Sequence, residues 1–405
     1  MGMNSLLLCL LLALPISEVQ VVSATAAGFS LSFTLTSPAP AVVFYGADAK
    51  NLDQALPLSP RTRFHFAEIE NLKPDRDYYF RVAAWDLKQP PDRRPPLKVH
   101  TLRAPPGRRL FSFAVMNDIH AGQDINSVMV PPLSFLPPLT PGFTWKYPVD
   151  NYWDFTLRAT VDGINQTDAA FCVVNGDLSS WYLEKEFRLA KDRLDRLRMP
   201  YYVIRGNHDR QGEEPQDWFK VVFGLAETWR AVEPGGCRFL MLDDNNLQNG
   251  LASLPAPELD WLQKELDGHP AAPTFIFSHH PWLAGGPDQR PDQRSRFLSL
   301  VRQHRQVAGV INAHSHRAAI LRMSGGDGPP FIEVPATSEY PVGWGFFEVY
   351  EGGWVYSFKG LTCPDCREWD HQTRQAYFGN APRKMARKLS DRCLSEPFPA
   401  GIAPK

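Results

Sequence analysis

Beyond its first sixteen residues the sequence has no apolar run approaching the roughly 20 residues that a helix needs to cross a bilayer, so no transmembrane helix is expected. It has no excess of either charge, with 43 Lys and Arg against 44 Asp and Glu and a net charge of −1. That balance leaves no electrostatic footprint for nucleic acid, and no nucleic-acid partner is expected. Helical periodicity is missing from residues 29–102. Cysteine is scarce, six in 405 residues, and is absent from the polar clusters described below, which speaks against a closed structural zinc site there.

What is present is globular in character. Hydrophobic residues make up 43% and charged residues 21%, and the length of 405 residues corresponds to about two to four domains. Proline is abundant, at 37 residues, and concentrates in connections such as 90–96 and 131–141, so long stiff loops are expected. The run Leu6–Ile16 has the length of a signal-peptide core, and Ala24-Thr25-Ala26 offers a cleavage site, although no Lys or Arg precedes it. Residues 1–26 are therefore read as a signal peptide and the protein as secreted or periplasmic. Cys172, in the apolar AFCVV, reads as a buried free thiol. Cys237, Cys363, Cys366 and Cys393 could form two disulfides in any of three pairings, which is preferred to half a zinc site at Cys363-Pro-Asp-Cys366 with Cys393 and His371.

Between 29 and 102, FSLSFTL, AVVFYG, FHFAEIE, DYYFRVAAW and LKVHTL alternate as short strands, a pattern expected of a β-sandwich. From 110 the rhythm changes. Apolar strands at 110–116, 170–174, 201–204, 238–242, 274–277 and 307–311 are interleaved with helical patterns at 152–164, 183–197, 257–267 and 295–304. This alternation predicts an α/β fold with a mainly parallel sheet covered by helices. Residues 346–361 read as an antiparallel pair turning at Gly352-Gly353, and the repeated PDQR at 287–294 reads as a polar loop.

Chemistry gathers where strands end. Asn117-Asp118-Ile119-His120, Asn175-Gly176-Asp177, Gly206-Asn207-His208-Asp209, Ser278-His279-His280-Pro281 and Asn312-Ala313-His314-Ser315-His316 each follow a strand, and six of the eleven histidines lie in these turns. In an open α/β sheet, ligands bind at the carboxyl ends of strands. A set of imidazoles, carboxylates and an amide oxygen suits divalent ions of intermediate softness, and more than six donors suit two ions sharing a bridge. Asp243 and Asp244 end a further strand on the same rim, where a solvated turn is the favoured reading. The loop 121–150 is too long for a simple connector and is read as a lid. Asn165-Gln166-Thr167 is a glycosylation sequon.

D-x-H, G-D, G-N-H-D, H-H-P and H-x-H, in this order and each after a strand, resemble the calcineurin-like metallophosphoesterase superfamily over about residues 110–350. The resemblance implies that Asp118, His120 and His316 hold one metal ion. It implies that Asn207, His279 and His314 hold a second, with Asp177 bridging. His208 would face the substrate phosphate as the catalytic residue, and Asp209 would either orient it or cap its turn. The cofactors would be two divalent ions (Zn, Mn or Fe), and the substrate a small-molecule phosphate ester attacked by a metal-bridging hydroxide. Leu72-x-Pro74-x-x-x-Tyr78 resembles the tyrosine corner of fibronectin type III domains, and a sandwich ahead of such a catalytic domain resembles purple acid phosphatases. That family's ligand tyrosine is Ser180 here. The expected organisation is 1–26 signal peptide, 27–104 fibronectin III-like β-sandwich, 105–362 metallophosphoesterase domain and 363–405 Cys-containing C-terminal extension. Alternatives are a phosphodiesterase acting on nucleotides or phospholipid head groups, or a surface binding protein with a degenerate phosphatase fold.

Overall fold

The computed structural model describes residues 16–84, 95–123, 152–286, 289–326 and 328–404. The apolar run 6–15 and residues 124–150 of the expected lid lie outside them.

Alternating residues build the N-terminal sandwich from β1 (Ile16–Ala24), β2 (Phe29–Gly46), β3 (Gln54–Ile69), β4 (Asp77–Ala84) and β5 (Leu97–His100), all paired antiparallel. The long strands β2 and β3 each serve two layers. The first part of β2 pairs with β1 and with 64–69 of β3, while its last part pairs with 54–58 of β3 and with β4. Phe29, Leu31, Phe33 and Leu35 from one layer meet Val43, Phe80 and Val99 from the other in a common core. The Tyr78 hydroxyl accepts a hydrogen bond from the Lys73 backbone N–H at 3.0 Å, the contact expected of a tyrosine corner.

Residues 16–24 fall within the expected leader. Ile16–Ala24 is a paired strand whose Ile16, Val22 and Ala24 are buried, so the fold uses residues assigned to the signal peptide. The strand is irregular, with register shifts between Ser17 and Gln20 and between Val21 and Ser23.

The region from residue 109 onward contains two six-stranded mixed sheets instead of one mainly parallel sheet. The first joins β6 (Arg109–Met116), β7 (Phe171–Asn175) and β8 (Tyr201–Ile204) in parallel. It continues antiparallel through β15 (Gly343–Tyr350), β16 (Gly353–Gly360) and β17 (Cys393–Pro397). The second has β10 (Arg238–Met241), β11 (Thr274–Phe277), β12 (Val307–Asn312) and β14 (Phe331–Glu333) parallel, with β9 (Arg230–Val232) and β13 (Ala319–Leu321) at its edges.

The two sheets pack face to face, because side chains alternate across a strand. Phe113 and Val115 of β6 point to the inter-sheet core with Phe239, Phe275, Phe277 and Phe347, and Phe113 stacks on Phe347 at 4.6 Å. Ala114 and Met116 point outward to α1 (Tyr152–Asn165) and α2 (Glu184–Leu194), and Leu240, Ile276 and Val310 point to α4 (Ala256–Gly268) and α5 (Pro291–Gln303). Strands buried on both faces read as continuous apolar runs, which is why they are legible in the sequence. A short α3 (Trp218–Phe223) packs beside α2.

Three local expectations resolve differently. The second PDQR opens α5, with Pro291 in its first turn, where the missing N–H costs nothing. The C-terminal segment is no appendage: α6 (Pro364–Thr373) packs on the α1 side, and β17 completes a sheet. Cys363 and Cys366 form a disulfide at the start of α6, while Cys172, Cys237 and Cys393 are buried free thiols, so one bridge forms in place of the expected two. Cys393 and His371 are engaged elsewhere, with Leu389 O and Glu18, so no zinc half-site assembles from these four residues. No helix among the described residues is long and apolar enough to cross a membrane.

Candidate metal centre

The polar turns after β6, β7 and β8 belong to one sheet and those after β11 and β12 to the other, so the site straddles the carboxyl edges of both sheets. Two buried amides hold the edges together. Asn175 Nδ2 donates to Ser278 O (3.2 Å) and Ile311 O (3.3 Å), and Asn117 Nδ2 donates to Val334 O (3.2 Å) and Asp118 Oδ2 (2.5 Å).

The backbone bends sharply to aim the side chains. Asp118, His120, Asp177, His314 and His316 all sit at positive φ, between 51° and 66°. Non-glycine residues tolerate this region at a cost, Asp and His more readily than most, and such strain concentrates at functional sites. Two glycines permit the close approach. A Cβ on Gly176 would lie 2.2 Å from His279 Nδ1, and one on Gly206 would lie 2.2 Å from the Asp177 backbone N.

All seven candidate ligands come together. Asp118, His120, Asp177 and His316 offer donor atoms within 4.8 Å of one another, and so do Asp177, His279 and His314. Asp177 belongs to both groups: its Oδ2 lies 3.7 Å from His120 Nε2 and 3.4 Å from His279 Nε2. Asn207 Oδ1 lies 3.0 Å from His279 Nε2 and 2.7 Å from His314 Nδ1. His279, and not His280, joins the second group.

The donor set fits divalent cations. His120 Nε2 and His316 Nε2 face each other at 3.3 Å across the first group, an arrangement natural for two lone pairs turned to one cation. Burial pushes His120 down to about 3, and burial with His280 and His279 does the same for His314, so both are the neutral imidazoles that ligation requires. Burial alone would raise the Asp118 carboxyl, but His316 and His279 draw it down to about 2. Burial opposes charge on His279 as well, yet Asp177 lifts it to about 10. The carboxylates thus draw protons where cations would otherwise neutralise them, and binding of divalent ions is expected to release protons.

His208 stands apart from both groups. Its backbone N–H donates to Asp177 Oδ1 (2.8 Å), and its Nδ1 donates to Ser180 O (2.8 Å). The question over Asp209 resolves toward the turn. It is fully buried and accepts from Leu178 N, Ser179 N and Gly206 N at 2.8–3.1 Å, which staples the turns after β7 and β8. Burial and Asp177 raise it to about 6.

The solvated turn expected at Asp244 is instead a buried carboxylate, with 0% exposure. It accepts from His279 N (3.1 Å), His280 N (2.9 Å) and Trp282 Nε1 (2.7 Å), so it shapes the H-H-P turn. Asp244→Ala should leave three buried donors unpaired at about 1–3 kcal/mol each. A clear drop in urea midpoint is expected, and an unchanged midpoint would show that this carboxylate is dispensable. Asp243 is paired with buried Arg205 at 2.9 Å.

Sequence reasoning missed Glu339, whose Oε1 lies 2.5 Å from His316 Nδ1. It also missed Glu333, which accepts from Ser315 Oγ and from Arg317 Nε and Nη2 and braces the H-S-H turn. No motif carries either residue.

Position 180 has no phenolate. The Ser180 hydroxyl donates to His120 O at 2.9 Å, and the Tyr182 ring is covered by Arg210 at 4.7 Å. A metal-loaded protein is therefore expected to show no tyrosinate charge-transfer band, and a purple preparation would contradict this.

The model of the calcineurin-like phosphoesterase family matches residues 111–318. The chain belongs to this family. It is 28% identical over 157 residues to a probable glycerophosphodiester phosphodiesterase of Arcobacter nitrofigilis, covering 36% of the chain and 56% of that relative. It is 27% identical over 207 residues to a probable cyclic nucleotide phosphodiesterase of Synechococcus, covering 48% of the chain and 78% of that relative. The chain thus spans little more than half the length of the first of these relatives. Among solved structures, a dimetal phosphatase from Danio rerio aligns at 15% identity and a TM-score of 0.48, covering 63% of this chain and 97% of that one. The matched segment takes in every residue of the two donor groups described above.

Proposed function

We propose that this calcineurin-like phosphoesterase hydrolyses phosphodiesters of small molecules, using two divalent ions held by Asp118, His120 and His316 and by Asn207, His279 and His314. The observation that carries the reading is the sharing of Asp177 between two buried donor groups. The diester preference is drawn from the activities named for its relatives, glycerophosphodiester and cyclic nucleotide phosphodiesterases. A degenerate binding protein would have lost donors, whereas here the seven converge.

When bound, the ion pair supplies water of lowered pKa and a positive clamp on the phosphoryl oxygens. The chain's own residues do the rest. Asp177, which belongs to both donor groups, would hold both ions. The Ser180 carbonyl holds the His208 Nδ1 proton, which leaves Nε2 as the nitrogen that gives or receives a proton at the leaving oxygen. Export is proposed from the apolar run ahead of β1 together with the Cys363–Cys366 disulfide.

The test combines metal analysis with a panel of aryl phosphate mono- and diesters. Two equivalents of Zn²⁺, Mn²⁺ or Fe²⁺ and faster turnover of diesters are expected. Faster turnover of monoesters would overturn the substrate assignment, and two bound ions without turnover of either ester would overturn the enzymatic reading.

A further inference from the structure

Glu339 lies in the loop between β14 and β15 and is 3% exposed. Its carboxylate accepts from His316 Nδ1, while the other nitrogen of that ring faces Asp118 Oδ1 at 3.3 Å. A carboxylate on the far nitrogen of an imidazole ligand fixes the ring's orientation and tautomer.

The loop has no regular structure of its own, so other elements must hold Glu339. α6 does so along one side. Trp369 Nε1 donates to Ser338 O (2.7 Å), the Tyr340 N–H to Thr373 Oγ1 (3.1 Å) and the Val342 N–H to Asp370 Oδ1 (3.0 Å).

The sandwich closes the other side. Gln20 Oε1 on β1 accepts from the Tyr340 hydroxyl (2.7 Å) and from Arg374 Nη1 (2.6 Å), and Arg374 also donates to the Tyr340 oxygen (2.8 Å). Glu18, two residues earlier, accepts from Thr34 and from His371 of α6. A sandwich that merely packed on its neighbour would need only apolar contact. Here a sandwich side chain bonds the residue next in sequence to Glu339.

We propose that Glu339 is the positioning residue of His316 and that the N-terminal sandwich, through Gln20, holds it in register. The sandwich is then a working part of the first metal position. This rests on the reading of His316 as a ligand.

The test titrates Zn²⁺ into the full-length protein against a competing chelator, resolving two binding steps. Glu339→Gln keeps shape and one acceptor oxygen but removes the charge. It should weaken one step by about 10–100-fold and leave the other unchanged. Gln20→Ala should weaken the same step by less, and Gln20→Glu, which keeps an acceptor, should restore it. Thermal unfolding of the metal-free variants separates this from general destabilisation. Wild-type affinity at both steps in Glu339→Gln and Gln20→Ala would overturn the proposal, as would equal weakening of both steps in parallel with a lowered Tm. Fewer than two ions on the wild type would remove the dinuclear reading itself, a result distinct from the other two.

Discussion

Asp177→Asn is expected to lose both metal ions and to reduce activity by orders of magnitude while the fold survives. The carboxylate is 2% exposed, and its Oδ2 stands between His120 of one group and His279 of the other. Asn has nearly the same volume and tolerates the left-handed backbone observed at this position, φ 53°. Its amide can still accept the His208 N–H through one oxygen. What it cannot supply is a negative charge shared by two cations, or a second acceptor atom: an NH₂ turned toward either position repels an ion. The checks are metal content after dialysis, turnover of an activated diester, and the urea midpoint of the metal-free protein. Retention of both ions with near-wild-type turnover would sink the dinuclear model.

His208→Ala carries the second large effect, and a different signature. His208 belongs to neither donor group, so both ions should be retained. The turnover number should fall by about 10²–10⁴-fold, the usual worth of a positioned acid or base. The Ser180 carbonyl fixes the Nδ1 proton of His208, which leaves Nε2 for the reaction. The loss should therefore depend on the leaving group, and be small for an ester of an acidic phenol and large for an alkyl ester. Equal losses for both would make His208 a stabiliser of phosphoryl charge and not the acid. Loss of an ion would make it a ligand.

The seven donors are legible in the sequence because each is coupled to a local event. A run such as LFSFAVM buries both faces of a strand, and the next few residues must turn at its end. Asp118 and His120 are therefore placed by their own neighbours in the chain. Five such turns in succession are a strong pattern, and the inter-sheet geometry adds only that the turns come from two sheets. The tyrosine corner is legible for the same reason, since Tyr78 bonds a residue five positions away.

What stays hidden is non-local. Glu339 meets His316 from 23 positions away, Asp244 reaches His279 from 35, and Gln20 reaches Tyr340 from 320. A buried carboxylate between two turns and a solvated one in a loop look alike in sequence, because only burial separates them. Strand pairing is hidden likewise. β6 and β11 are both short apolar runs, and nothing in either says that they lie in different sheets. Residues 16–24 illustrate the limit: a mixed polar and apolar segment beside a leader-like run reads as part of that run until its strand partner is seen. Strand ends and donor chemistry are thus properties of the sequence alone. Sheet partnership, the residues that hold the donors in place, and the contact of the sandwich with the loop of Glu339 are properties of the tertiary fold, because they depend on which distant segments exclude water from one another.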